Sequence, residues 1–460
     1  MSADRAIDRG ARPLWILWAL ALLALALRLA PLMRPGSAWA MANVDSPRYV
    51  ELAQGLRAGC GFARLVDGHC AGAEVLRTPG YPLLLAAIPS PRMVVAVQAL
   101  IGAALCLIVG YFVTVWWDLR AAAIAEAILA LDLSSIVEGS RILSDVLFQA
   151  LLACAVIIQL CVIARRRSDA RALAAIFAAA ALLTLAIIVR PVGLLLPILA
   201  PLPVLMLPAM GRRRMAAVAL LAFALPALTC AGWAARNAAR TGVWTLSTAA
   251  AIHLYYYEAG GLIWYRGHKD FPAVTDDLAR RLGLPDARDY LVTPAALEPR
   301  MIGDAERILL HDPAGAVEMT LRSFLWLAVV PDRGSLNELL GTHAGATAYL
   351  AATGQLSTRI HQLLHSPLLT VLVTFQLALT AITWIGVAFA LAAVRRKSAR
   401  EVAVVLLPLG VALMMIALAS GVDAYARYRM PAVPLLAILA GIGWSGAALR
   451  VTPVLKLGND

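Results

Sequence analysis

LWILWALALLALALRLAPLM, residues 14–33, is a twenty-residue stretch with one charge, Arg28. Twenty apolar residues in helical conformation cross the hydrocarbon core of a bilayer. The stretch is too long, and too poor in a small-residue cleavage site, for a signal peptide. Nine further blocks read the same way, near 93–115, 121–138, 146–164, 172–189, 191–209, 215–235, 366–393, 402–420 and 431–448. The whole chain agrees: of 460 residues, 61% are hydrophobic and 15% charged, against about half and a quarter in soluble domains. The fold class is an all-α polytopic membrane protein of about ten transmembrane helices.

The charge pattern sets the orientation. Basic residues gather in six short segments: 5–12, Arg120, RRRSDAR (165–171), GRRR (211–214), RRKSAR (395–400), and Arg450 with Lys456. With ten crossings all six fall on one face, which the positive-inside rule makes cytoplasmic. The net charge of +12 therefore reads as topology and headgroup contact, not nucleic-acid binding. Two long loops, 34–92 and 236–365, belong to the outer face, within a single transmembrane domain spanning 1–460.

The first outer loop contains NVDSPRYVELAQGL (43–56). Ser46 and Pro47 suit a helix start. Tyr49, Leu52, Ala53 and Leu56 recur at helical spacing, and Gly59 suits its end. This reads as a helix lying in the interface. Cys60 and Cys70 share that loop on an oxidising face, a plausible disulfide pair; the other four cysteines lie in spans. In the second outer loop, MTLRSFLWLAVV (319–330) is too short to span and reads as another interfacial helix, the alternative being that it pairs with 340–352 as two extra crossings. No Walker A or dinucleotide fingerprint and no transporter-type internal repeat is present.

Charged residues at a membrane boundary call for a reason. The outer face collects Asp45, Arg77 in the RTPGYP turn, Asp145, Arg190, His253 followed by three tyrosines, and Asp423, Tyr425, Arg427 and Arg429 in VDAYARYRMP. If the spans bundle, these loops meet in one outward-facing cavity. Arginines grip phosphate bidentately. A carboxylate beside them accepts a proton from an attacking hydroxyl. By itself Asp45 reads equally as an acid favouring a helix N-terminus, Asp145 as a cap for its span, Arg427 and Arg429 as interfacial anchors, and Arg77 as the partner of Glu74 in a surface ion pair.

Five blocks in order, DSPRYVELAQGLRAGCGF, RTPGYPLLLA, SDVLF, LSTAAAIHLYYYEAG and ARYRMPAVPLLAILAG, resemble the GT-C glycosyltransferase superfamily. The likeness is to its bacterial branch of protein O-mannosyltransferases and the lipid A aminoarabinose transferase. The resemblance implies an inverting transferase, multi-pass in a bacterial inner membrane, working on its periplasmic face. The donor would be a polyprenyl-phosphate sugar and the acceptor a lipid, glycan or protein hydroxyl. It implies Asp45 and Asp145 as catalytic acids, with Arg77, Arg427 and Arg429 on the donor phosphate. Glu74, His253 and Tyr425 would be accessory. Some members place a metal-ligating Glu directly before the basic residue of the turn. This chain has Leu76 there and Glu74 two positions earlier, so no cofactor is specified and a divalent metal stays open. A flippase for lipid-linked sugars, or a ligase using a diphosphate carrier, are the alternative readings.

Overall fold

The computed structural model describes residues 14–165, 168–207, 210–267, 270–287, 293–331, 336, 367–394, 397–422 and 425–446. The expectations for 340–352, for Asp423 and for the two terminal basic segments lie outside them.

In chain order the elements begin with α1 (Trp15–Leu29), α2 (Asp45–Arg57), strands β1 (Ala63–Val66) and β2 (His69–Ala73), α3 (Gly80–Ala87) and α4 (Pro91–Trp116). Next come α5 (Leu119–Leu131), α6 (Leu133–Gly139), α7 (Asp145–Arg165), α8 (Ala170–Val189) and α9 (Arg212–Thr241). The second outer loop supplies α10 (Ala249–Ile252), a π-helical turn over His253–Ala259, α11 (Gly260–Gly267), α12 (Phe271–Arg281), α13 (Glu298–His311) and α14 (Pro313–Val329). The chain returns through α15 (Pro367–Ala392), α16 (Ala399–Leu418), a 3-10 turn over Ala426–Ala432 and α17 (Val433–Ser445).

Seven helices among the described residues are long and apolar enough to cross a membrane: α1, α4, α7, α8, α9, α15 and α16. They coincide with seven of the ten expected blocks. The other three are interrupted, each for a local reason. Block 121–138 breaks at Asp132, whose carboxylate accepts from the Ser135 N–H at 2.8 Å and caps α6. The carbonyls freed at the end of α5 are not lost to lipid. Arg28 of α1, buried in the bundle, donates to Leu129 O at 3.0 Å and Ala130 O at 3.3 Å. A charge inside a span is tolerated when it is paired with such carbonyls. Gly102 makes room for it; a Cβ there would stand 2.7 Å from the Arg28 Nε. Block 191–209 is a run of 3-10 turns, because Pro191, Pro197, Pro201 and Pro203 remove four amide donors from any α-helical ladder. In block 431–448 the turn around Pro431 delays the helix until Val433.

Every residue of α17 from Val433 to Ile442 is buried. A helix apolar on all sides belongs in the middle of a bundle, and α17 packs between α5, α15 and α16. Around it α4 holds α1 and α5, and α7 holds α8, which in turn meets α9.

The first outer loop is more built than its sequence suggested. Helix α2 starts at Asp45, two residues before Pro47, with the Asn43 side chain accepting from the Asp45 N–H at 3.0 Å. Behind it β1 and β2 form an antiparallel hairpin, Val66 opposite His69. Its two turn residues, Asp67 and Gly68, both have positive φ (49° and 78°), the requirement of a type I′ turn. A Cys60–Cys70 disulfide ties the end of α2 to β2. Arg236 of α9 clamps the hairpin by donating to Glu74 O at 2.6 Å and Phe62 O at 3.1 Å.

The second outer loop has its own apolar cluster, including Tyr255, Tyr256, Leu278, Met301 and Met319. Tyr255 and Tyr256 are therefore core residues of this loop. The expected short helix at 319–330 is the second half of the 17-residue α14, started by Asp312, which accepts from the Gly315 N–H at 2.9 Å.

Candidate active site

Five charged side chains from five separate elements meet at one end of the bundle. Asp45 opens α2, and Arg77 lies in the turn before α3. Asp145 opens α7, Arg190 ends α8, and Arg427 lies in the 3-10 turn before α17. One Asp45 oxygen accepts from Arg77 Nη2 at 2.6 Å. The other accepts from Arg427 Nη1 and Nη2, both at 3.3 Å. Arg427 also reaches Asp145, with Nη2 at 3.0 Å and Nε at 3.1 Å. The second Asp145 oxygen pairs with Arg190. Asp145 is fully buried, whereas the Asp45 side chain keeps 26% of its surface. Asp45 is thus the member of the carboxylate pair that faces outward.

The surroundings fix these groups. Arg427 Nη1 donates also to the Tyr425 hydroxyl at 3.2 Å and to Asn43 Oδ1 at 3.4 Å. The Arg77 guanidinium lies over the Tyr49 ring, 5.2 Å from its centroid, and the Tyr49 hydroxyl shares a hydrogen bond with Ser144 at 3.2 Å. The second outer loop holds the flanks. Thr248 N–H donates to Val75 O at 3.1 Å, the Ser247 hydroxyl to Leu76 O, and the Ser323 hydroxyl to Gly421 O at 2.7 Å.

The electrostatics come from the count. Among the described residues three guanidiniums face two carboxylates, leaving one positive charge in excess. Burial alone would raise the Asp45 carboxyl. Arg427 and Arg77, with help from Arg190, outweigh it and hold Asp45 down at about 2. The sign gives the pH window: this stabilisation is present above the ordinary aspartate value and is lost as pH falls from there toward 2. Arg77 is buried, and its Nη1 finds no acceptor among the described residues. An orphaned buried donor on a cation is costly unless something else accepts from it.

The structure brings together Asp45, Asp145, Arg77, Arg427 and Tyr425. It places the other expected residues elsewhere. Arg429 turns away and donates to Leu327 O at 3.2 Å. The reason is phase: a 3-10 turn advances about 120° per residue, so residues 427 and 429 cannot share a side. Glu74 does not pair with Arg77 through its side chain. Its Oε1 accepts from the Leu76 and Arg77 N–H groups at 2.7 and 3.2 Å, which sets the turn that aims Arg77. His253 lies in the π-turn, 3.2 Å from Glu258. Arg190, noted in the sequence only as a boundary charge, is a full member. Its signal was an arginine before a proline between two apolar blocks.

The donor set does not fit a divalent metal. Both carboxylates already hold guanidiniums, and three cations within the same cluster would repel a fourth. Among the described residues no group of three or more His, Cys, Asp or Glu side chains clusters as a metal site.

No protein-family model and no curated protein sequence matches the chain. Solved structures do. An oligosaccharyltransferase from Archaeoglobus fulgidus, tethered to an acceptor peptide containing an NVT sequon, aligns over 95% of this chain with 16% identity and a TM-score of 0.50. The likeness is one of fold. The chain spans half the length of that oligosaccharyltransferase. ArnT from Cupriavidus metallidurans, bound to undecaprenyl phosphate, aligns over 95% of this chain and 79% of its own at 16% identity and a TM-score of 0.38.

Proposed function

We propose that this protein is a membrane glycosyltransferase that moves a monosaccharide from a polyprenyl-phosphate carrier to an acceptor hydroxyl. The reaction takes place on the outer face of a bacterial inner membrane. The observation that carries this reading is the charge cluster. An excess positive charge and the orphaned Arg77 Nη1 call for an anion, and Asp45 stands beside them facing outward. A sugar phosphodiester brings one negative charge. Arg77, Arg427 and Arg190 draw its phosphate into the cluster, and its isoprenoid tail stays in lipid.

The acceptor oxygen attacks the anomeric carbon from the side opposite the phosphate, and its proton passes to Asp45. The carbon–oxygen bond to phosphate breaks, and the electron pair leaves with a phosphate that now carries a second negative charge. The arginines stabilise that added charge, which appears only as the bond breaks. Attack opposite the leaving group inverts the anomeric centre. Asp145 takes no proton in this scheme. Buried between Arg190 and Arg427, it holds both guanidiniums in place, which narrows its role from catalytic acid to positioning residue.

Transfer from labelled polyprenyl-monophosphate sugars in proteoliposomes is the direct test. Transfer from diphosphate-linked donors alone would replace this reading with the ligase. Arg77→Lys keeps the charge and loses the planar fork. It is expected to raise the donor KM by about tenfold or more, the worth of one charge-assisted hydrogen bond. An unchanged donor KM in this variant would move the phosphate away from Arg77.

Orientation has its own check. The segment 165–171 is expected on the cytoplasmic side and 270–312 outside. A cysteine at Ser168 (Ser168→Cys) should resist a membrane-impermeant thiol reagent in intact cells. Labelling there would invert the assignment of faces.

A further inference from the structure

We propose that Asp45 becomes a base only in the donor complex: the phosphate draws Arg77 and Arg427 off the carboxylate, and the same binding event that brings the sugar frees the group that deprotonates the acceptor. The inference rests on the site being one for a phosphate-linked sugar, and goes beyond it by saying when the base is active.

The geometry marks which contacts can be given up. Arg427 holds Asp145 through Nε and Nη2 at 3.0–3.1 Å, with Asp145 fully buried. Its hold on Asp45 is longer: Nη1 is shared among Asp45, Asn43 and Tyr425 at 3.2–3.4 Å, and Nη2, 3.0 Å from Asp145, lies 3.3 Å from Asp45. A donor divided among three distant acceptors on the open side is easily redirected to a phosphate oxygen. Arg77 offers the first foothold, since its Nη1 has no acceptor among the described residues while Nη2 is on Asp45. Phosphate matches the guanidinium fork at both nitrogens. Taking it bidentately turns Nη2 toward the ligand.

The groups that face Asp45 from each neighbouring element set its proton affinity. They are Arg77 from the turn before α3, Arg427 and Tyr425 from the turn before α17, and Arg190 from the end of α8. Asn43 and Tyr49 are on its own segment, and Asp145 stands behind Arg427. With both arginines in place Asp45 is held at about 2, too weak a base for a hydroxyl. Burial is the largest single influence on it and pushes upward. Once the arginines neutralise phosphate instead, burial and the nearby anion both favour the protonated form. After transfer Asp45 carries the acceptor's proton and the phosphate is a dianion. Release of the polyprenyl phosphate returns the arginines, which expel that proton to water. The free enzyme is thereby spared from activating water against no substrate.

Infrared titration of the intact chain in detergent reads this directly. The Asp45 carboxyl band is assigned by its absence in Asp45→Asn. The probe is a short-chain isoprenyl methyl phosphodiester, which has one negative charge and no titrating group of its own near neutral pH. Binding is measured separately by calorimetry. Without probe, Asp45 should remain ionised at pH 4. With saturating probe, its midpoint should rise above the ordinary aspartate value of about 3.9. Arg77→Gln should raise the midpoint without any probe. If the probe binds and the midpoint stays low, the arginines bridge both anions and the proposal is wrong. If calorimetry shows no binding, the phosphate reading of the site fails first and this inference falls with it.

Discussion

Asp45→Asn is expected to cut sugar transfer by about 10²–10⁴-fold, the usual range for removing a general base. Asparagine keeps the shape, and its side-chain oxygen can still accept from Arg77, yet it cannot hold the acceptor's proton. Donor binding should survive and tighten, because removing one carboxylate raises the excess positive charge from one to two. This combination separates a base from a phosphate ligand, whose loss would weaken binding. The variant also loses the favourable pairing that holds Asp45 at about 2 instead of 3.8, a stability loss on the order of 2 kcal/mol at neutral pH. The acid sensitivity between pH 4 and 2 should shrink with it. Transfer at the wild-type rate would show that Asp45 is not the base.

Asp145→Ala should be the more damaging substitution to the fold. Asp145 is fully buried, with one oxygen on Arg190 and the other on Arg427. Removing it leaves the buried Arg427 and the partly buried Arg190 facing each other without the anion between them. Breaking a buried pair in this way costs about 3–5 kcal/mol, more than Asp45→Asn is expected to cost. Denaturant unfolding in detergent should rank the two variants in that order, with Asp145→Ala lowest. A midpoint for Asp145→Ala at or above that of Asp45→Asn would mean that the arginines find other partners and that Asp145 does not position them.

Much of the fold was legible because burial in lipid demands long uninterrupted apolar runs, and seven such runs became seven helices. The three interrupted blocks carried their warnings in plain view. Asp132 sits in the middle of one and four prolines in another, but an apolar count outweighs them. Polar atoms decide these places: the Asp132 carboxylate capping α6 through the Ser135 N–H, and Arg28 reaching across from α1 to satisfy freed carbonyls. The Asp-Gly pair at 67–68 was likewise a hairpin signal, in a long loop read for its helix, its cysteines and its charges but not for strands. In the site, the residues that converge are those placed just outside an apolar run, where the chain leaves the membrane at a defined height. Arg429 was paired with Arg427 through the resemblance of the RYRMP block, which does not carry the helix type that sets its phase. The π-turn at His253–Ala259 gives no recognisable sequence pattern at all, since it depends on the packing of Tyr255 and Tyr256 into the outer cluster.

The separation of Asp45 and Arg427 by 382 positions has a meaning for how the protein is made. A ribosome delivers Asp45, Arg77, Asp145 and Arg190 to the membrane long before Arg427, which enters just ahead of the central helix α17. Until then the nascent bundle holds two carboxylates and two guanidiniums, and their charges cancel. The surplus that would attract an anionic lipid appears only with the last apolar segment. Under the proposed function, a half-inserted chain therefore has no electrostatic reason to capture donor before its innermost helix is in place.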